Sequence, residues 1–177
     1  MTDAPYRFAG RVPAGVEPVA PGPGQESVWD YPRPPCVEPC IDRIRVVLGG
    51  VALADSTRAV RVLETAGAPV YYLPRDDVRM DLLDPSPTVT QCEWKGAASY
   101  FSTTAGSRRI EDVAWSYERP NPGYEAMAGH LAFYAAKVDE AWVGEERATP
   151  QPGGFYGGWM TGAIVGPVKG EPGSWGW

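Results

Sequence analysis

The stretch from Thr90 to Phe101, TQCEWKGAASYF, decides how the rest of the chain is interpreted. It is long enough for one β-strand, and we predict a single strand here. Successive side chains of a strand point to opposite faces, which would place Glu93 and Lys95 together on one face. The opposite face would carry mainly apolar and aromatic side chains: Cys92, Trp94, Ala98 and Tyr100.

Length and charge limit the classes of protein to consider. With 177 residues, 44% of them apolar, the chain is expected to form one folded domain with tails. The formal charge of −6 argues against a nucleic-acid partner, because such proteins present basic surfaces. No run approaches the roughly 20 apolar residues of a membrane span, and MTDAPYRFAG at the N-terminus has no signal-peptide pattern. We therefore expect a cytoplasmic protein without a membrane partner, with its cysteines reduced.

The 21 glycines and 19 prolines predict a mainly β chain with many turns. We divide it into a flexible N-terminal segment (1–26), a Pro-rich extended arm (27–40), a β core (41–143) and a Gly/Pro/aromatic C-terminal arm (144–177). Trp29 and Tyr31 would anchor the first arm. The aromatic residues of the C-terminal arm would dock on the core or on a second subunit, because a disordered tail usually lacks them.

Turn residues divide the core into short elements. Arg43–Leu48 and Val51–Ala54 are expected to form a hairpin around Gly49-Gly50. Arg109–Tyr117 should pair with Thr90–Phe101 as a second hairpin. Asn121–Gly129 is predicted as the one short helix, with proline near its start and glycine at its end. Further strands are expected at Ala59–Thr65, Pro69–Pro74, Leu131–Tyr134 and Glu140–Val143.

Several segments in order resemble one bacterial family, the domain of unknown function 427, also labelled nucleotidyl transferase domain 9. They include VVLGGVALADSTRAVRVLET (Val46–Thr65), PVYYLPRDDVRMDLL (Pro69–Leu83), CEWKGAASY (Cys92–Tyr100), GHLAFY (Gly129–Tyr134) and QPGGFYGGW (Gln151–Trp159). The resemblance covers most of the chain from Trp29 onward. It implies a β-tent, two antiparallel sheets joined like the sides of a tent, a fold shared with the ligand-binding domain of cereblon.

The resemblance implies little about activity. The transferase label finds no support, because no Gly-Ser motif followed by Asp-x-Asp is present. Zinc-bearing relatives use two Cys-x-x-Cys pairs, whereas Cys36 and Cys40 are separated by three residues and Cys92 stands alone. We therefore expect no metal and no cofactor.

Charged residues give three candidate sites, each with an ordinary alternative. Glu93 and Lys95 form an acid–base pair or a ligand anchor in one interpretation, and a solvent-facing ion pair in the other. His130, the only histidine, suits a general base, but it also suits a cap at a helix end. Arg58 and Glu64 would share a strand face and bind either a polar ligand or core neighbours.

Aromatic residues give a fourth candidate site. Trp94, Tyr100, Trp115 and Tyr117 alternate on two strands predicted to pair, and Tyr72 lies on a third strand. They would form a cage for a flat or cationic ligand, or else core packing between sheets. By analogy only, an aromatic pocket on the cereblon fold binds a small cyclic imide.

Three functions remain open at this stage. The first is a small-molecule binding domain, with an aromatic pocket between the sheets and Lys95 or Arg58 supplying charge. The second is an enzyme that uses the same pocket, with Glu93, Lys95 or His130 as acid or base. The third is an assembly module, a homodimer in which the arms wrap the second subunit.

Overall fold

The computed structural model describes residues 12–174 together with residues 176 and 177. The predicted mainly β fold built from antiparallel sheets is confirmed. Of the predicted segments, residues 1–11 and Trp175 lie outside the described residues.

The chain contains fifteen strands within the described residues, most of them short. In chain order they are β1 (Glu26–Ser27), β2 (Cys36–Pro39), β3 (Ile44–Leu48), β4 (Val51–Ser56), β5 (Val60–Leu63), β6 (Val70–Tyr72), β7 (Leu83–Cys92), β8 (Gly96–Ala105), β9 (Arg108–Ser116), β10 (Leu131–Phe133), β11 (Glu140–Val143), β12 (Glu146–Arg147), β13 (Thr149–Pro150), β14 (Trp159–Met160) and β15 (Ile164–Val165). Single 3-10 turns occupy Arg75–Asp77, Met80–Leu82, Glu125–Met127 and Ala135–Lys137. In this part of the chain, no helix has the length and apolar character to cross a membrane.

The longer strands form three antiparallel sheets. One four-stranded sheet has the order β10-β9-β8-β7, and the other has the order β12-β11-β3-β4. A three-stranded sheet, which was not predicted, has the order β2-β5-β6. The largest core cluster joins the two four-stranded sheets and includes Ile44, Phe101, Phe133 and Trp159. Burial of such large apolar side chains is the main source of stability for the fold.

The first predicted hairpin forms, and the second forms with β8, which begins at Gly96, in place of the whole predicted strand. Strands β3 and β4 pair around Gly49 and Gly50, whose φ angles of 59° and 75° lie in the left-handed region that glycine adopts without strain. Strands β8 and β9 pair across the turn at Gly106, in a register that places Tyr100 opposite Trp115. The second hairpin therefore builds an aromatic face, as the alternation predicts.

Two predicted elements are wrong. Thr90–Phe101 is not one strand, because β7 ends at Cys92, residues 93–95 form a turn and β8 begins at Gly96. Gly96 has a φ of 98°. Asn121 holds this turn by donating from its Nδ2 to Trp94 O (3.0 Å) and from its backbone N to Lys95 O (3.0 Å). The chain therefore reverses within the segment that we predicted to be one extended strand.

The predicted helix Asn121–Gly129 is only the 3-10 turn Glu125–Met127. Gly123 and Gly129 have φ angles of 95° and 68°, which a continuous right-handed helix does not allow. Only a few residues between these glycines are left for helical turns, so an α-helix does not propagate.

Both arms contact the core. Trp29 and Tyr31 of the first arm are buried, and Trp159 of the C-terminal arm is fully buried. The ring of Trp177 lies 5.6 Å from that of Trp29, which links the two arms. Phe155 differs from these anchors, because 68% of it is exposed.

Candidate functional site

A cleft of about 760 Å³ lies between the β7–β10 sheet and the β2-β5-β6 sheet. Residues of the C-terminal arm, including Tyr156 and Gly157, form part of its wall. Eight of the ten residues predicted for the site line this cleft: Glu64, Tyr72, Glu93, Trp94, Lys95, Tyr100, Trp115 and Tyr117.

One wall of the cleft is a group of packed aromatic rings. Trp115 lies at its centre, with its ring centroid 4.5 Å from that of Tyr134 and 6.1 Å from that of Tyr72. The indole Nε1–H of Trp115 donates a buried hydrogen bond to Tyr72 Oη at 3.1 Å. Tyr100 extends the wall from the neighbouring strand, and its hydroxyl bonds Thr90 Oγ1 at 3.0 Å. Such a wall offers flat apolar surface with few hydroxyl groups at its edge.

Burial keeps the tyrosines of this wall neutral. Loss of hydration raises the pKa of Tyr72 and of Tyr117 far above its ordinary range, and it raises the pKa of Tyr134 in the same way. These hydroxyl groups therefore donate or accept hydrogen bonds near neutral pH and do not act as bases.

The turn between β7 and β8 places Lys95 and Glu93 differently from the strand prediction. Lys95 is half-buried at the cleft and Glu93 is exposed, so they do not form a buried acid–base pair on one strand face. In the described part of the chain, no hydrogen bond or ion pair engages the Lys95 ammonium group. Its charge is therefore available to a bound group.

A second charged group lies where the C-terminal arm meets β5. Lys169 is only 5% exposed, and its Nζ donates to Glu64 Oε1 at 2.7 Å. Arg33 approaches the same carboxylate at 3.8 Å, and Lys169 Nζ lies 4.9 Å from the ring centre of Tyr156. Glu64, a predicted ligand-binding residue, therefore holds the arm in place.

Two predicted site residues lie outside the cleft. Arg58 is exposed and forms a bidentate ion pair with Asp77. Asp77 is the last residue of the 3-10 turn Arg75–Asp77. The ring of His130 lies near its own loop, with Nδ1 3.2 Å from Ala128 O. The structure therefore brings neither side chain to the aromatic wall.

Sequence reasoning missed the other residues of the cleft, among them four with charged or aromatic side chains: Arg33, Asp112, Tyr134 and Lys169. Two of them carried a usable signal. Tyr134 ends the predicted strand Leu131–Tyr134 in the same alternation as Ala132, and Lys169 is the only cation after Arg147 in the sequence. No signal in the sequence indicated Arg33 or Asp112. The position of Arg33 depends on the path of the first arm, and that of Asp112 depends on an irregularity in β9.

Comparison with known protein families gives one match. A family model described as a domain of unknown function (DUF427) matches residues 36–144. The chain belongs to this family. Among curated proteins, none matches the chain significantly. The predicted family is thus confirmed, and its description names no ligand and no reaction.

The DUF427 match covers only part of the cleft. The aromatic wall and Lys95 lie within residues 36–144, whereas Arg33, Gln151, Tyr156 and Lys169 lie outside that range. Gln151 is buried at the junction, where its Oε1 accepts from Ala68 N (2.9 Å) and its Nε2 donates to Lys169 O (2.8 Å). The arm that completes the cleft is therefore fixed by contacts beyond the matched region.

Proposed function

We propose that this DUF427 protein binds a small planar molecule that carries an anionic group. One observation carries the proposal: an aromatic cleft between two sheets contains a half-buried lysine, Lys95, whose ammonium group is not engaged by the described residues. The planar part of the ligand packs against Trp115 and its aromatic neighbours. The anionic part binds Lys95.

The dimensions and chemistry of the cleft support this class of ligand. Ligand sites commonly have volumes of roughly 300–1,000 Å³, mostly apolar walls and a few polar groups that fix orientation. A cleft of about 760 Å³ that contains a lysine whose ammonium group has no partner among the described residues fits that description. The exposed position of Glu93 removes the buried acid–base pair on which the enzyme hypothesis was chiefly based. The assembly hypothesis stays a prediction.

Two naphthalene probes test the charge preference. 2-Naphthoate is planar and anionic, and 2-naphthamide is its neutral analogue of similar shape. Ligand-observed NMR titration should give naphthoate about tenfold tighter binding than naphthamide, a ratio expected for one charge-assisted hydrogen bond. In Lys95→Ala this ratio should fall to about one, while Arg79→Ala, an exposed cation paired with Asp81, should leave it unchanged.

A cleft-filling variant tests the location. Val70→Trp places a large ring at a residue that lines the cleft, and Ile41→Trp adds the same ring at a residue that is 96% exposed. Naphthoate should bind wild type and Ile41→Trp alike and should not bind Val70→Trp. Equal binding by all three proteins would contradict a site in this cleft, and so would the absence of naphthoate binding to wild type.

A further inference from the structure

Two irregularities in the β7–β10 sheet meet at one level of the cleft. Along β7 the pairing with β8 changes register between Pro85 and Val89. Along β9 the pairing with β8 changes register opposite Phe101–Thr103. Both flanking strands therefore carry extra residues beside the same part of β8. Such bulges re-aim side chains and are frequent beside functional sites.

Asp112 lies in the irregular part of β9. Its φ of 50° is in the left-handed region, which costs free energy for any residue other than glycine and is best tolerated by Asp and Asn. Its backbone N donates to Ser102 Oγ at 3.0 Å, which holds that conformation. Local strain of this kind occurs often at binding and catalytic sites.

The extra residues of β7 bring Thr88 to the Asp112 carboxylate. Thr88 Oγ1 donates to Asp112 Oδ2 at 2.8 Å. The other oxygen, Oδ1, is buried and has no hydrogen-bond partner among the described residues. A buried acceptor without a donor destabilises a protein, so it needs an explanation. Asp112 and Thr88 both line the cleft.

The neighbours of Asp112 restrict what it would bind. The Trp115–Tyr134 ring pair lines the same cleft and offers a flat surface. Lys137 donates from Nζ to the backbone oxygens of Glu111 (2.9 Å) and Asp112 (3.0 Å), and lies 5.0 Å from the ring centre of Tyr134. This ammonium group repels a second cation. A neutral ring with an N–H donor meets both conditions, because it stacks and donates without adding positive charge.

We propose that Asp112 and the Trp115–Tyr134 pair form a subsite for a planar ring that carries a neutral N–H donor. The N–H of the ring donates to an oxygen of the Asp112 carboxylate. Rotation about χ2, which is soft for a carboxylate, turns the unused acceptor toward the cleft. The inference rests on the proposed function, since it assigns the group that one end of the same cleft recognises.

The two ends of the cleft then differ in chemistry. The backbone N of Asp112 is hydrogen-bonded to Ser102 of β8. Lys95 immediately precedes Gly96, the first residue of β8, which lies six residues before Ser102. The complete ligand is therefore elongated, with the N–H ring at the Asp112 end and the anionic group toward Lys95.

Indole and benzofuran test the subsite, because the two bicyclic rings have nearly the same shape. Indole carries a ring N–H at the position where benzofuran carries an oxygen atom. Affinities are measured by ligand-observed NMR titration on wild type, Asp112→Asn and Asp81→Asn. Asparagine tolerates the left-handed conformation, so the first variant is expected to fold, and a thermal melt checks this. Asp81 is an exposed carboxylate outside the cleft and provides the matched control.

Indole should bind wild type and Asp81→Asn about tenfold more tightly than benzofuran, and this preference should fall below about threefold in Asp112→Asn. Equal affinities of indole and benzofuran in wild type would overturn the subsite while leaving the aromatic cleft as a ligand site. Benzamidinium, a planar cation, serves as a third probe, and tighter binding than indole would overturn the neutral class. If neither neutral ring binds and naphthoate also fails, the proposed function itself is wrong.

Discussion

Gly157 lies directly against the indole ring of Trp115, so that a Cβ atom at position 157 would overlap the ring. Gly157 belongs to the C-terminal arm, and Trp115 belongs to the central part of the aromatic wall. The absence of a side chain at this one position therefore allows the arm to close against the wall. The shape of the cleft depends on this contact.

Gly157→Ala should destabilise the fold by about 1–3 kcal/mol, because an added methyl group in a packed contact forces neighbours to shift. Urea unfolding followed by tryptophan fluorescence measures the change. Gly176→Ala is the matched control, since a Cβ at that position meets open space. An equally small effect of both substitutions would show that the arm does not press on Trp115.

Tyr72→Phe should destabilise the fold by about 1–3 kcal/mol. The substitution removes the acceptor of the Trp115 Nε1–H bond and leaves a buried donor unpaired. The control is Tyr71→Phe, which changes a neighbouring buried tyrosine whose hydroxyl group has no hydrogen-bond partner among the described residues. Urea unfolding of the two variants should separate them clearly. Similar losses in both would argue against the Tyr72–Trp115 bond.

The Lys169–Glu64 ion pair should couple the arm to β5 by about 1–3 kcal/mol, since the lysine is buried and the carboxylate is partly shielded. A double-mutant cycle with Lys169→Met and Glu64→Gln measures this coupling in free energy of unfolding. The exposed Arg79–Asp81 pair should give less than about 1 kcal/mol in the same kind of cycle. Equal coupling in the two cycles would contradict the anchoring role of Lys169.

The buried tyrosines should make the protein lose stability at alkaline pH. Burial raises the pKa of Tyr31, Tyr72 and Tyr117 above the value near 10 that holds in the unfolded chain. The unfolded form therefore releases these protons first. The contribution is fully present below a pH of about 10 and is lost as pH rises further, by about 1.4 kcal/mol per pH unit and tyrosine.

Tyrosinate absorbance and circular dichroism, followed together during an alkaline titration, check this expectation. The buried tyrosines should ionise only as the fold is lost, and the two signals should change together for that fraction. Tyr72→Phe should show a shallower dependence of unfolding free energy on pH. Full ionisation of the tyrosines in a protein that remains folded would contradict their burial.

Local patterns predicted those parts of the fold that local chemistry controls. The Gly49-Gly50 hairpin followed from two left-handed glycines between apolar runs, and the Tyr100–Trp115 pair followed from alternation. The turn at residues 93–95 did not follow, because Asn121 holds it from a distant loop. Arg58 was wrongly assigned to the site for a similar reason, because the sequence did not indicate its ion pair with Asp77, which lies 19 residues away.

The site itself was predictable only in its aromatic part. Tyr72, Trp115 and Tyr117 showed the strand alternation that brings rings to one face. Asp112 depends on bulges in two strands, which no short pattern in β9 indicates. Lys169 reaches the cleft only because the arm folds back over the core.

Intermolecular nuclear Overhauser effects between bound 2-naphthoate and the protein test the central claim most directly. They report which side chains lie within a few ångströms of the ligand. We predict effects from the naphthalene protons to the rings of Trp115 and Tyr134, lost in Val70→Trp and kept in Ile41→Trp. Effects confined to side chains outside the cleft, such as Ile41, or none at saturating naphthoate, would contradict the cleft as the binding site.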